Sequence, residues 1–182
     1  MPTLVHEFDW PDRVVVGTVG RPGERTFYLQ ARTGTRTTSV AMEKQQSAVL
    51  AETIDEMLDE LATQDGLTVP AEVPPELLDE DPLDQPVEED FRTGAIHLGW
   101  DPRTAQVLIE AFSLDDDADP DEGDEPSEML RVRIPVGAAR AFVRRTMAVV
   151  QAGRPTCPRC GEPIDPEGHD CAVPDDAQPG AA

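Results

Sequence analysis

At 182 residues the chain can hold one hydrophobic core or two small ones, and a formal charge of −22 excludes simple electrostatic attraction of the whole molecule to nucleic acid or anionic lipid. No N-terminal apolar run fits a signal peptide, and no stretch of roughly 18 apolar residues fits a membrane span, so the expectation is a soluble, cytoplasmic protein.

In chain order, residues 2–8 are mixed in character and fit a first edge strand. Arg13–Val19 is rich in β-branched residues and bounded by Pro11-Asp12 and Gly20-Arg21-Pro22-Gly23, which predicts a strand and a turn. Residues 26–31 form the next predicted strand, Thr33-Gly34-Thr35 a hairpin turn, and residues 37–42 a third strand. From Glu43 the period changes. Leu50, Ile54, Met57, Leu58 and Leu61 recur at helical steps with Glu52, Asp55, Glu56, Asp59 and Glu60 between them, an amphipathic helix with an acidic outer face. Residues 1–62 therefore read as a βββα unit.

Residues 63–90 are acidic and proline-rich, with no basic side chain, and read as a linker whose anchors would be Leu77, Leu78 and Leu83. Residues 91–153 then repeat the first pattern, with strands over 91–100, 106–112 and 129–134 and a helix starting at Pro135. Laying Met42 on Ile134 places Leu50 on Phe142, Ala51 on Val143, Met57 on Val149 and Leu58 on Val150; Ile54 meets Thr146. These matches predict an α+β fold made of duplicated βββα units, packed as one pseudo-twofold sheet-and-helix domain, since either half alone is marginal in size. Nine acids lie in a loop over 115–128, and residues 172–182 form a small acidic tail expected to be disordered.

The most specific chemistry lies in Cys157-Pro158-Arg159-Cys160-Gly161 through His169-Asp170-Cys171. It reads C-x2-C-x8-H-x-C and uses every cysteine of the chain. Three thiolates and an imidazole are the ligand set of a closed tetrahedral zinc site, and C-x2-C lets one tight knuckle present two sulfurs to one ion. A redox pair would need a helix N-terminus to activate a thiol, against which Pro163, Pro166 and Gly168 stand. A disulfide framework would leave one cysteine over. Residues 154–171 thus read as a zinc knuckle, too short for its own core, with Cys157, Cys160, His169 and Cys171 as ligands of a structural ion.

Residues 129–160 hold no acid and carry Arg140, Arg144, Arg145 and Arg159 among their arginines. These four are candidate contacts for nucleic acid or a phosphorylated ligand; the plainer account is that they offset the acidic remainder of the molecule. Lys44, the only lysine, begins the first helix beside Gln45 and Gln46, where open backbone N–H groups can hold an anion. No nucleophile motif, phosphate loop or H-E-x-x-H is present.

The run Asp12-Arg13-Val14-Val15-Val16-Gly17-Thr18-Val19-Gly20, then Phe27-Tyr28-Leu29-Gln30-Ala31-Arg32, Glu43-Lys44-Gln45-Gln46 and Ala152-Gly153-Arg154-Pro155 into the cysteine cluster resembles the actinobacterial family catalogued as domain of unknown function 3090. The resemblance spans nearly the whole chain and includes all four metal-type positions, but implies no activity. The chain departs from it after Cys171, where the family continues with basic residues. Three functional classes stay open. A non-enzymatic adaptor for a protein partner is favoured; nucleic-acid or phospho-ligand binding through the arginines, and an enzyme around Lys44, are the alternatives.

Overall fold

The computed structural model describes residues 2–21, 23–64, 66–115, 125–152, 157–161, 164 and 168–171. Seven strands, β1 (Leu4–Asp9), β2 (Arg13–Val19), β3 (Thr26–Thr33), β4 (Arg36–Met42), β5 (Phe91–Asp101), β6 (Gln106–Ser113) and β7 (Glu128–Pro135), form one mixed sheet. Two helices accompany it, α1 (Lys44–Ala62) after β4 and α2 (Val136–Gln151) after β7. The fold is α+β. No described helix is long and apolar enough to cross a membrane.

Local chemistry accounts for most boundaries. β3 and β4 pair antiparallel down to Thr33↔Arg36, and Gly34 closes their hairpin at φ +58°, a left-handed conformation that favours glycine. The Asp12 carboxylate accepts the Gly34 N–H at 2.7 Å and fixes the turn. α1 begins where Glu43 donates its N–H to Gln46 Oε1 at 2.8 Å, half of a capping box. Pro135, which has no N–H to leave unsatisfied, occupies the N-cap of α2.

Strands β2, β3 and β4 form one antiparallel meander and β5, β6 and β7 another. The two join side by side in parallel through Val40↔Phe91 and Ala41↔Arg92. β1 runs parallel to β7, from Leu4↔Glu128 to Asp9↔Arg133.

This order has a geometric consequence. β1 and β2 end the series β1-β7-β6-β5-β4-β3-β2, yet only Trp10, Pro11 and Asp12 connect them. A flat sheet would hold those edges roughly 29 Å apart at about 4.8 Å per strand, and the connection reaches at most about 14 Å. The sheet must curl until its edges approach. Trp10 N–H donates to Arg133 O at 3.3 Å and Asp12 N–H to Arg32 O at 2.8 Å, so the connector is bonded to both sides of the gap. Arg36 of β4 bonds the Glu7 carbonyl of β1 and lays its guanidinium 4.1 Å over the Phe8 ring.

The helices fill the concave side. α1 buries Leu50, Ala51, Ile54, Leu58 and Leu61, and α2 buries Ala139, Phe142, Val143 and Thr146, against Val16, Leu29, Val40, Val107, Ile109, Leu130 and Val132 of the sheet. Each large aliphatic side chain so placed contributes about 1.5–3 kcal/mol. Thr146, a polar residue at a stripe position, is fully buried and donates its hydroxyl to Phe142 O at 2.7 Å. Its polarity is thereby satisfied inside the helix.

The acidic segment expected to be a linker docks on the rest of the chain: Pro70 O accepts from Arg140 beside the helices, and residues 79–84 lie against β2 and β3. Leu83 is buried at 4% exposure, whereas Leu77 and Leu78 remain 39% and 47% exposed. Leu83 packs on Gly17 so closely that a Cβ there would come within 2.5 Å of Leu83 Cγ. Asp84 exchanges two bonds with the buried Gln30 side chain, donating its N–H to Oε1 at 2.8 Å and accepting from Nε2 at 3.1 Å. The segment thus covers the face of the sheet that carries Gly17 and Gln30, opposite the face that puts Val16 and Leu29 in the core. The interior of the acidic loop over 116–124, residues 153–156 and the tail 172–182 lie outside the described residues.

Candidate metal centre

The Cys157, Cys160 and Cys171 sulfurs and a His169 ring nitrogen come together near the C-terminal end, their ligand atoms all within 4.8 Å of one another. Gly161 N–H donates to Cys157 O at 2.8 Å, closing a tight turn around the first two sulfurs. Gly161 adopts φ +74° and Gly168, just before His169, φ +97°. A Cβ at either would meet nothing within 4 Å, so backbone conformation and not space calls for glycine at both.

The spacing fits a metal. Ligands at about 2.3 Å from a tetrahedral ion stand roughly 3.8 Å from one another. Cys157 Sγ and Cys171 Sγ are 3.9 Å apart, and Cys160 Sγ and His169 Nε2 are 3.2 Å apart. The Cys160 and Arg159 backbone N–H groups point at the Cys157 sulfur and pull its pKa down to about 7. A sulfur already inclined to the thiolate form, at the centre of such a donor set, suits the binding of a metal ion. Cys157 is buried and the other three are half-buried, and all three cysteines are thiols in no disulfide.

The arginine candidates do not converge on one surface. Arg140 is buried between the helices, donating to Asp55 at 2.5 Å, Asp59 at 2.6 Å and Pro70 O at 3.0 Å. Arg145 points the other way, to Val16 O at 3.0 Å on the edge of β2 and to the Asp79 carboxylate at 2.9 Å. Arg144, between them, is exposed and makes no ion pair among the described residues. Arg159 is exposed within the metal turn. Lys44 is half-buried in the first turn of α1, with no ion pair among the described residues. Its neighbour Gln46 bridges α1 to β5, donating to Thr93 O at 3.2 Å and Gly94 O at 2.9 Å. The other described arginines of the stretch pair across the sheet, Arg131 with Glu110 at 2.8 Å and Arg133 with Glu7 at 2.6 Å.

Sequence reasoning missed a second polar cluster. Arg13 of β2 donates to Asp79 Oδ2 at 2.7 Å, Asp79 Oδ1 at 2.9 Å, Asp84 Oδ1 at 3.2 Å and the Pro82 and Asp81 carbonyls. Its hydrogen bond holds the Asp79 carboxyl below the ordinary carboxylate range, and Asp79 in turn raises Arg13. Burial pulls Arg145 down, against the attraction of Asp79. These groups border an apolar cavity of about 260 Å³ lined in part by Trp10, but their hydrogen bonds run to the segment they hold and to Val16 O of β2. The signal available in the sequence was an arginine opening a strand and an aspartate run with no basic neighbour.

A family model described as "Protein of unknown function (DUF3090)" matches residues 6–171, from the first strand through the last metal-type cysteine. No curated protein and no solved structure matches the chain.

Proposed function

Taking as premise that the chain belongs to the DUF3090 family, whose description carries no activity, we propose a non-enzymatic, protein-binding adaptor of the cytoplasm braced by a structural zinc ion. The observation that carries this reading is the donor set, three sulfurs and one imidazole within 4.8 Å. A Cys3His tetrahedral site is a standard structural zinc set, and four protein ligands leave no coordination position for water or substrate. Thiols in no disulfide accord with a reducing compartment.

We read the two meander–helix units as an internal duplication. Leu50 and Phe142, Ala51 and Val143, and Ile54 and Thr146 are buried pairs at equivalent positions of α1 and α2, which supports it. The adaptor reading over nucleic-acid binding rests on charge: Arg140 and Arg145 are engaged by carboxylates and carbonyls of the same chain, and the molecule carries −22 overall.

Metal analysis of protein purified without added zinc tests the first half, with one equivalent of zinc expected. Native co-purification tests the second. A stoichiometric protein partner is expected; nucleic acid as the dominant species, released by salt and lost in Arg144→Ala, would overturn the adaptor reading.

A further inference from the structure

The two flanks of α1 differ in a way that points to a partner. Asp55 and Asp59 face α2 and are neutralised by Arg140 at 2.5 and 2.6 Å. Across the outer face, from beside Asp59 toward the other flank, the side chains of Glu52, Glu56 and Glu60 are exposed and make no ion pair or hydrogen bond among the described residues. They follow one another at four-residue steps, where like charges repel along a helix. They also occupy the C-terminal part of α1, whose last turn holds no basic residue and whose first turn holds no acidic one. The helix dipole favours the reverse arrangement. This row works against the helix that carries it, so the surface and not the helix accounts for it.

Beside that row lies a groove of about 410 Å³ between α1 and β5, lined by Gln45, Gln46, Val49, Thr53, Ile96 and Leu98. Val49 is 48% exposed, and Leu114, 53% exposed, stands against Gly94 at the groove's end. Met57, half-buried, packs against the core one turn beyond Thr53. No basic side chain lines the groove. β5 pairs with β4 only at Phe91 and Arg92, and Gln46 of α1 takes the next carbonyls, Thr93 O and Gly94 O. From Gln45 to Glu60 the helix runs about 22 Å, the length of some four helical turns.

We propose that this groove docks a basic amphipathic helix of a partner protein, its apolar stripe on Val49, Ile96 and Leu98 and its lysines or arginines against Glu52, Glu56 and Glu60. The inference rests on the adaptor reading and names the surface and chemistry of its partner.

The test uses the full chain and two fluorescent peptides of about 18 residues made of leucine and lysine. One carries leucines at i, i+3, i+4 and i+7; the other has the same composition with no stripe. By anisotropy at about 0.15 M salt, the striped peptide is expected to bind about tenfold or more tightly than its control. Val49→Glu at an exposed position should remove that preference with the melting temperature unchanged. Replacing Glu52, Glu56 and Glu60 by Gln should weaken binding, whereas Glu72, Glu76 and Glu80 replaced by Gln should leave it intact. Equal binding of the two peptides, or equal loss from the two triple variants, would mean unspecific charge attraction and overturn the proposal. If Val49→Glu leaves a native partner fully co-purifying, the groove assignment fails and the adaptor reading stands. If groove-dependent peptide binding holds but only nucleic acid co-purifies, the adaptor reading fails instead.

Discussion

Arg13 of β2 and Arg145 of α2 donate to the same oxygen, Asp79 Oδ1, each at 2.9 Å. The first arginine belongs to the N-terminal meander and the second to the helix that follows the C-terminal one, so a residue of the intervening segment fastens the two. Both guanidinium side chains are about nine-tenths buried, at 10% and 11% exposure, while Asp79 keeps 29%. Removing the shared acceptor leaves two buried cations facing each other. Asp79→Ala is expected to destabilise the protein by roughly 2–3 kcal/mol, below the value for fully buried pairs because Asp79 is partly solvated. Urea unfolding measures it; a change under about 0.5 kcal/mol would place the network among ordinary surface pairs.

The same contact sets an acid limit. The Arg13 hydrogen bond, ahead of all other influences, lowers the Asp79 pKa in the folded state. A carboxyl with a depressed folded pKa contributes stability that is complete above its unfolded value, about 3.9, and is lost as pH falls through the folded value. Between pH 7 and pH 5 this contribution stays constant; below about pH 4 it declines. Asp79→Asn should therefore be less stable than wild type at pH 7 and show a shallower loss of stability below pH 4. Parallel pH profiles from chemical denaturation would reveal an identical slope if Asp79 played no part.

Local pattern explains why so much of the element order was legible. Arg13–Val19 is β-branched between turn residues, and it is a strand with those limits. Leu50, Ile54, Leu58 and Leu61 are helical in spacing and all buried. The cysteine and histidine spacing likewise delivered four donors that meet, because a ligand set within 15 residues needs little help from the rest of the fold. What stayed hidden depends on distance along the chain. Arg13 and Asp79 are 66 positions apart, and an acidic, proline-rich stretch reads as solvated linker until its counter-charges are in place. The curl of the sheet was equally hidden, since the short connector Trp10-Pro11-Asp12 constrains shape only once β1 is known to sit beside β7. Arg140 and Arg145 carried the right charge for an anion site, but helix periodicity does not say that Asp55, Asp59 and Asp79 stand opposite them.

Gly17 and Leu83 should behave as one unit. A Cβ on Gly17 would lie 2.5 Å from Leu83 Cγ and 2.6 Å from its Cδ2, so Gly17→Ala must displace a buried leucine from the face of β2. Overpacking of this kind costs about 1–3 kcal/mol, and Leu83→Ala alone should cost about 2–3 kcal/mol. Once Leu83 is truncated the extra methyl has room. The double variant is expected to lie well short of the sum, with a coupling of about 1 kcal/mol or more. Strict additivity in a double-mutant cycle would mean that the segment does not hold Leu83 against β2 in solution.

The metal centre gives the last expectation. Cys160 supplies one sulfur of the tight turn and stands 3.2 Å from His169 Nε2. Serine keeps the size but replaces the thiolate by a hydroxyl that is protonated at neutral pH and a poor zinc ligand. Cys160→Ser should hold well under one equivalent of metal after dialysis, by elemental analysis. The sheet and helices have their own core, in which Val16, Leu29, Ile54, Leu58, Ile109 and Leu130 are buried without help from the cluster. Far-UV circular dichroism should accordingly stay near that of the wild type, while proteolysis near the C-terminal end becomes faster. Full metal retention by Cys160→Ser would remove that sulfur from the ligand set. Collapse of the whole circular dichroism spectrum would instead make the metal a condition for folding the core, and the bracing role would have to be enlarged accordingly.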